Sequence, residues 1–218
     1  MEKIHNQLTQ MKFNEQIEKL IFRFRIKVLK QKFEYLIPVL QASTPDGRAH
    51  YERYFFAQRF CEGKRVLDIA CGTGYGSKIL SEIAKKVVAV DRNRNAINYA
   101  LKHYRTQNIS FVCSSVENFK ISKETNDVIV CFKTLEHLDD DRAFIDSLPA
   151  NTLVIFSVPS EHYAWTSQFH KRAYDKKTLE EKFRRFKLEY FFQHPDGKID
   201  HVEANVQNII GVGVCRKP

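Results

Sequence analysis

Glu136-His137, at the end of an apolar run, and His170 further on are the side chains best suited to moving a proton near neutral pH. A second group has a different chemistry. Asp68 precedes three glycines, Gly72, Gly74 and Gly76, and Asp91 closes the next apolar run. Glycines without a Cβ allow tight turns and let a ligand lie against the backbone, and a helix that follows them aims N–H groups at that ligand. Asp91 at a strand end can accept both hydroxyls of a ribose. The letters do not make a pyrophosphate fingerprint, because G-x-G-x-x-G would need glycine where Ser77 stands. An acid beside the turn suits a ligand with an amine or a positive charge.

These residues need a frame. Arg65 to Ala70 and Lys85 to Val90 read as buried strands flanking a glycine turn and a helix, one βαβ half of a doubly wound sheet. Ala49 to Cys61 reads as an aromatic-rich helix before them, most of its rings destined for the core. Asn95 to Tyr104 is the next helix, Ile109 to Cys113 the third strand, Asp127 to Phe132 the fourth and Thr152 to Val158 the fifth. Thr178 to Phe183 then forms a helix and Lys187 to Gln193 the sixth strand. Pro195 to Lys198 makes a turn, and Val202 to Val214 the last strand, broken near Gly211 and Gly213. In an open α/β sheet, ligands sit at the carboxyl ends of the strands, where Glu136-His137 falls.

VLDIACGTGYGS followed by VVAVD resembles motifs I and II of the class I S-adenosylmethionine-dependent methyltransferases. The resemblance runs from about Tyr51 to Phe192. It implies a Rossmann-like seven-stranded sheet of order 3-2-1-4-5-7-6, last strand antiparallel, with helices on both faces. It further implies S-adenosyl-L-methionine as cofactor, with Asp68 near the methionine amino group and Asp91 on the ribose. Ala70, Gly72, Gly74, Tyr75, Arg92, Ser115, Val116 and Phe132 complete the implied cofactor set. Ser115 stands where many relatives carry an acid for the adenine amino group.

FKTLEHL resembles motif IV, which small-molecule members often write FETIEHL, and SEHYAWTSQFHKRAYDKKTLEEKF resembles the PN…NPFHVREYTREEL stretch of methyltransferases of bacterial surface polysaccharide, quinone and related pathways. His170 and Tyr174 match that stretch; Ser160 and Ala173 depart from it. His137 and His170 are then the candidate bases, and the alternative, a structural histidine fixing the loop, stays open. Lys133, Glu136, Trp165, Arg172 and Tyr174 are the expected acceptor-side residues, with His162 and Phe169 helping to shape the pocket. Enzymes that methylate the terminal ribose of small RNAs carry ExxEH here and bind a divalent metal. In this chain the first of those glutamates is Lys133, a cation that repels a metal, so no catalytic metal is expected.

The 218 residues, 43% apolar, suffice for one domain with an appendage. The boundary is expected at the turn cluster Ser43 to Gly47, giving an appendage over 1–42 and a methyltransferase domain over 43–218. Ile17, Leu20, Ile21, Phe24 and Val28 share one helical face among basic residues. That helix either covers the core or a dimer face, or carries residues 12–40 to a membrane surface. The five cysteines show no CxxC or zinc spacing and suit a reducing cytosol. With no signal peptide or membrane-length run, a cytoplasmic enzyme is expected.

The net charge of +9 favours an anionic partner. The leading expectation is O-methylation of a small-molecule or glycan-linked acceptor with anionic character. The alternatives are an RNA or protein methyltransferase, for which no nucleic-acid recognition module is visible, and a cofactor-binding regulator without turnover.

Overall fold

The computed structural model describes residues 45–165 and 167–216. The expected N-terminal helix, the residues 12–40 offered to a membrane and the boundary at 42/43 lie outside them.

One sheet organises the chain. Its strands are β1 (Arg65–Ile69), β2 (Lys86–Asp91), β3 (Ile109–Cys113), β4 (Val128–Phe132), β5 (Leu153–Pro159), β6 (Phe186–Gln193), β7 (Ile199–Asp200) and β8 (Asn208–Cys215). They lie in the order β3-β2-β1-β4-β5-β8-β6-β7. Strands β1 to β5 pair in parallel, and β8 inserts antiparallel between β5 and β6. The expected order is therefore present, with one addition. The two-residue β7 pairs with the outer edge of β6 through Phe192 and Gln193, because the turn at Pro195 to Lys198 folds the chain straight back.

The central strands are buried on both faces, which is why they read as unbroken apolar runs. Every residue of β4 is buried. Val66, Val128, Val130 and Ile155 join a core layer with Tyr54, Phe56 and Leu80. Leu67, Ile129, Cys131 and Phe156, one step out of phase, join the opposite layer with Phe144, Leu179 and Phe183. The helices α1 (Pro45–Gln58), α2 (Tyr75–Ser81) and α3 (Arg94–His103) supply the first layer, and α4 (Asp141–Ser147) and α6 (Lys176–Lys182) the second. A one-turn helix, α5 (Glu161–Ala164), follows β5.

Two sequence expectations need correction. Pro45 to Gly47 form the first turn of α1, so the helix expected from Ala49 starts four residues earlier. Proline suits that place, since its fixed φ is helical and its missing N–H would have had no partner there. The last strand begins at Asn208 rather than Val202 and runs unbroken through Gly211 and Gly213. These glycines make room: a Cβ on Gly211 would lie 2.4 Å from the Phe156 ring, and one on Gly213 would lie 2.3 Å from the Lys187 carbonyl oxygen.

The same constraint couples α1 to α2. A Cβ on Gly76 would fall 2.0 Å from the Tyr54 ring. Gly76→Ala is expected to cost about 3 kcal/mol through overpacking, read as a clear fall in calorimetric Tm. An unchanged Tm would contradict the close seating of Tyr54 on α2.

Candidate functional site

A cavity of about 420 Å³ opens at the carboxyl ends of β1, β2 and β4, roofed by α1. That volume falls in the range of small-molecule sites.

Its framework is a carboxylate that does not face it. Asp68 is fully buried in β1 and does not line the cavity. The Ser77 hydroxyl donates to it at 2.6 Å and the Tyr54 hydroxyl at 3.3 Å. Burial pushes its carboxyl up to about 7, against the opposing effect of those two hydrogen bonds. The resemblance places Asp68 near the methionine amino group; in the structure its carboxyl holds Tyr54 and Ser77 beneath the cavity. Tyr54 in turn packs edge-on against Tyr75 and Phe132, with centroids 5.4 and 5.1 Å away, and the three rings form an aromatic wall.

The turn after β1 exposes its backbone. Ala70 and Gly72 take left-handed φ values of +57° and +56°, and both line the cavity. Gly74, at φ +83°, caps α2; a Cβ there would lie 2.7 Å from Ala100 and Phe111, so it shapes the turn from behind. Asp91, at the end of β2, is fixed by two backbone donors, Gly72 N–H at 2.9 Å and Asn93 N–H at 2.8 Å. Its carboxylate lines the cavity beside Arg92 and Asn93.

The opposite end is built from two loops. Past β4, Lys133 adopts a left-handed φ of +52°, and its N–H donates to the Ser157 carbonyl at 2.9 Å. A single 3-10 turn, Leu135–His137, follows. Lys133 Nζ lies 3.2 Å from Glu136 Oε1, and the Glu136 side chain is fully buried. The segment 167–174 is pinned onto this turn. Lys171 N–H donates to the Glu136 carbonyl at 2.8 Å, and His137 Nδ1 lies 3.2 Å from the Phe169 carbonyl. Arg172 donates to the Leu135, Leu138 and Asp139 carbonyls at 3.1, 2.7 and 3.0 Å. The His137 and His170 rings stand 4.9 Å apart, and burial lowers the His170 pKa.

Lys133 and His137 line the cavity as expected, as do Ala70, Gly72, Tyr75, Asp91, Arg92, Val116 and Phe132. Ser115 does not; its Oγ accepts from Asn118 N–H. Glu136 and His170 do not line the cavity. Arg172, absent from the cavity lining, meets three carbonyls and lies 3.7 Å from Asp141, and so fastens the loop. Tyr174 is 1% exposed and donates to Asp141 at 2.8 Å, a core role. Trp165 is 66% exposed and outside the cavity. Arg53 is buried against Gln193, whose Oε1 accepts from it at 2.6 Å, while Tyr54 of the same helix lines the cavity.

Sequence reasoning missed His50 and Glu117, which both line the cavity. His50 falls one helical turn before Tyr54, a spacing that could have drawn attention to it. Its pKa is held well below the ordinary value by burial and by the charges of Arg53 and Lys133. Glu117 stands two residues after the Ser115 that replaced an expected acid.

Residues 66–149 match the family model described as "Methyltransferase domain". The chain is 35% identical over 99 residues to the mitochondrial ubiquinone biosynthesis O-methyltransferase of Schizosaccharomyces pombe, covering 43% of this chain and 36% of the relative. It is 32% identical over 100 residues to the ubiquinone biosynthesis O-methyltransferase of Coxiella burnetii, covering 45% and 43%. The chain thus spans less than half the length of these relatives. Among solved structures, N-methyltransferase NodS from Bradyrhizobium japonicum in complex with S-adenosyl-L-homocysteine superposes with a TM-score of 0.63 at 18% identity, covering 82% of this chain and 91% of that one. YcgJ from Bacillus subtilis gives 0.64 at 13%, covering 78% and 100%. These structures share the fold. Among the described residues, no helix is long and apolar enough to cross a membrane.

The raised Asp68 pKa has a pH signature. A carboxyl moved from the ordinary value near 4 to about 7 on folding stabilises the protein below the lower value and loses that contribution as pH rises through the higher one. In urea unfolding, the stability of the unmodified chain relative to Asp68→Asn should therefore fall between pH 5 and pH 8. A constant difference would mean that Asp68 is charged throughout.

Proposed function

We propose that this chain, which carries the methyltransferase domain on the class I S-adenosylmethionine-dependent fold, transfers a methyl group from S-adenosylmethionine to an oxygen of a small molecule. The observation that carries the reading is that one cavity brings these residues together. It has a ribose-type acid and an exposed glycine turn at one end, and a histidine with a lysine at the other.

The residues fit the cofactor. Asp91, preset by Gly72 and Asn93 and lining the cavity, offers a carboxylate of the kind that accepts from a vicinal diol. Val116 offers an apolar side to a purine, and Glu117, which lines the cavity where Ser115 does not, offers a carboxylate to its amino group. The backbone at Ala70 and Gly72 and the aromatic wall of Tyr54 and Tyr75 serve the amino-acid end. When bound, S-adenosylmethionine supplies a methyl group already activated on a sulfonium.

The protein's task is then to align the acceptor and keep out water. Phe169 and Leu138 close the acceptor end. His137 Nδ1–H donates to the Phe169 carbonyl, which leaves the Nε2 lone pair as the proton acceptor for a hydroxyl. Lys133 places a cation beside the same end, so an acceptor with anionic character is favoured. The names of the two O-methyltransferase relatives support a small-molecule oxygen, and this reading is preferred to a glycan-linked group.

Calorimetric titration with S-adenosylmethionine and S-adenosylhomocysteine, beside NADH and ATP, should give micromolar binding for the first pair alone. Binding of none, or of NADH in preference, would contradict the reading. Asp91→Ala should weaken S-adenosylhomocysteine about 30-fold, the loss of one or two charge-assisted hydrogen bonds. His137→Ala should leave that affinity within a few-fold and lower turnover of a phenolic or hydroxy-acid acceptor by about 10²-fold or more. Unchanged turnover would remove His137 as the base.

A further inference from the structure

Next to the cavity wall formed by Lys133 and His137 lies a donor set of the metal-binding type. One carboxylate oxygen of Glu136 and one ring nitrogen each of His137 and His170 lie within 4.8 Å of one another. His137 Nδ1 faces the Phe169 carbonyl and His170 Nδ1 the Ala164 carbonyl, so each ring carries its proton on Nδ1 and its lone pair on Nε2. Two such histidines and a carboxylate suit a divalent transition metal, and carbonyl-anchored Nδ1–H groups commonly orient ligating imidazoles.

The charge inside the cluster, however, is already supplied. The Glu136 carboxylate is fully buried, and neither of its oxygens accepts a hydrogen bond. Such an anion requires a counter-charge. Lys133 Nζ provides it at 3.2 Å, from a backbone that the left-handed φ of +52° and the bond to the Ser157 carbonyl hold in place. A divalent ion bound to Glu136 would have to sit against that ammonium or displace it.

We propose that the Lys133 ammonium is the resident cation of the Glu136, His137 and His170 cluster, a tethered charge in the place that these donors would otherwise give to a dissociable metal. Resting on the methyl-transfer reading, the inference extends to the acceptor. Lys133 also lines the cavity, and a point charge there pairs with one anionic oxygen, a carboxylate or a phenolate. That oxygen forms the new O–CH3 bond as the S–CH3 bond breaks with its electron pair going to sulfur, so anion and sulfonium neutralise each other. A phenol would first pass its proton to His137 Nε2.

Cobalt(II) tests the cluster without any turnover. The unmodified protein, dialysed against EDTA, should show no protein-bound cobalt d–d absorption. Lys133→Met should gain a cobalt site at least 100-fold tighter, which Lys133→Met/His170→Ala loses again; Lys133→Arg, which keeps the charge, should bind none. If Lys133→Met does not fold, Lys133→Gly, suited to the left-handed backbone, replaces it. Cobalt bound by the unmodified protein and lost in His170→Ala would overturn the proposal in favour of a dissociable metal. A folded Lys133→Met or Lys133→Gly with no gain would overturn it by showing that the cluster is not a cation site. In protein saturated with S-adenosylhomocysteine, benzoate should bind at least 10-fold more weakly to Lys133→Met, and equal binding would overturn the extension to the acceptor. Failure to bind S-adenosylhomocysteine at all would count against the methyl-transfer reading and leave the cobalt result to stand alone.

Discussion

A carboxylate with no exposed surface lies under the site, and the positions of three elements depend on it. Burying Asp68 is costly, as its upward pKa displacement shows, and the cost is offset only where Ser77 and Tyr54 donate to it. Ser77 is on α2 and Tyr54 on α1, so one group in β1 fixes both helices around the cavity. The absence of a Cβ on Gly76 lets the Tyr54 ring reach that bond. On the far side of α1, Arg53 is tied to Gln193, whose amide donates to the Ala49 carbonyl at 2.8 Å. The helix that roofs the cavity is therefore pinned to β1 and to β6.

The other end of the cavity depends on a loop-to-loop seam. Arg172 uses its rigid donor fork on three carbonyls of the turn after β4, which would otherwise lack regular partners. Asp141 collects Tyr174 and Lys182, tying the same loop to α4 and α6. The two halves of the site thus rest on separate supports. The half with the glycine turn hangs on Asp68 and the parallel strands, and the half with Lys133 and His137 on Arg172 and the 3-10 turn.

What could be read in the sequence follows from how local its cause is. Parallel strands buried on both faces announce themselves as apolar runs, so β1 to β5 were legible almost to the residue. Asp91 and Gly72 were legible too, because a strand-end acid and a turn glycine act where they stand. The place of Asp68 in β1 was legible but its partners were not, because only folding shows that Tyr54 and Ser77 converge on it. Arg172 and Tyr174 look like pocket residues until their carbonyl and carboxylate partners, more than thirty positions upstream, are in place. Gly211 and Gly213 looked like strand breaks because the Phe156 ring and the β6 backbone that require them are remote in sequence. His50 carried only a helical spacing, and Glu117 was hidden by attention to Ser115.

The most direct test is a crystal structure with S-adenosylhomocysteine. The ribose hydroxyls should meet the Asp91 carboxylate, and the sulfur should point toward the cavity end lined by Lys133 and His137, with Asp68 still bonded to Tyr54 and Ser77. A ligand whose ribose lies elsewhere, or whose sulfur points away from Lys133 and His137, would contradict the assignment of the two ends.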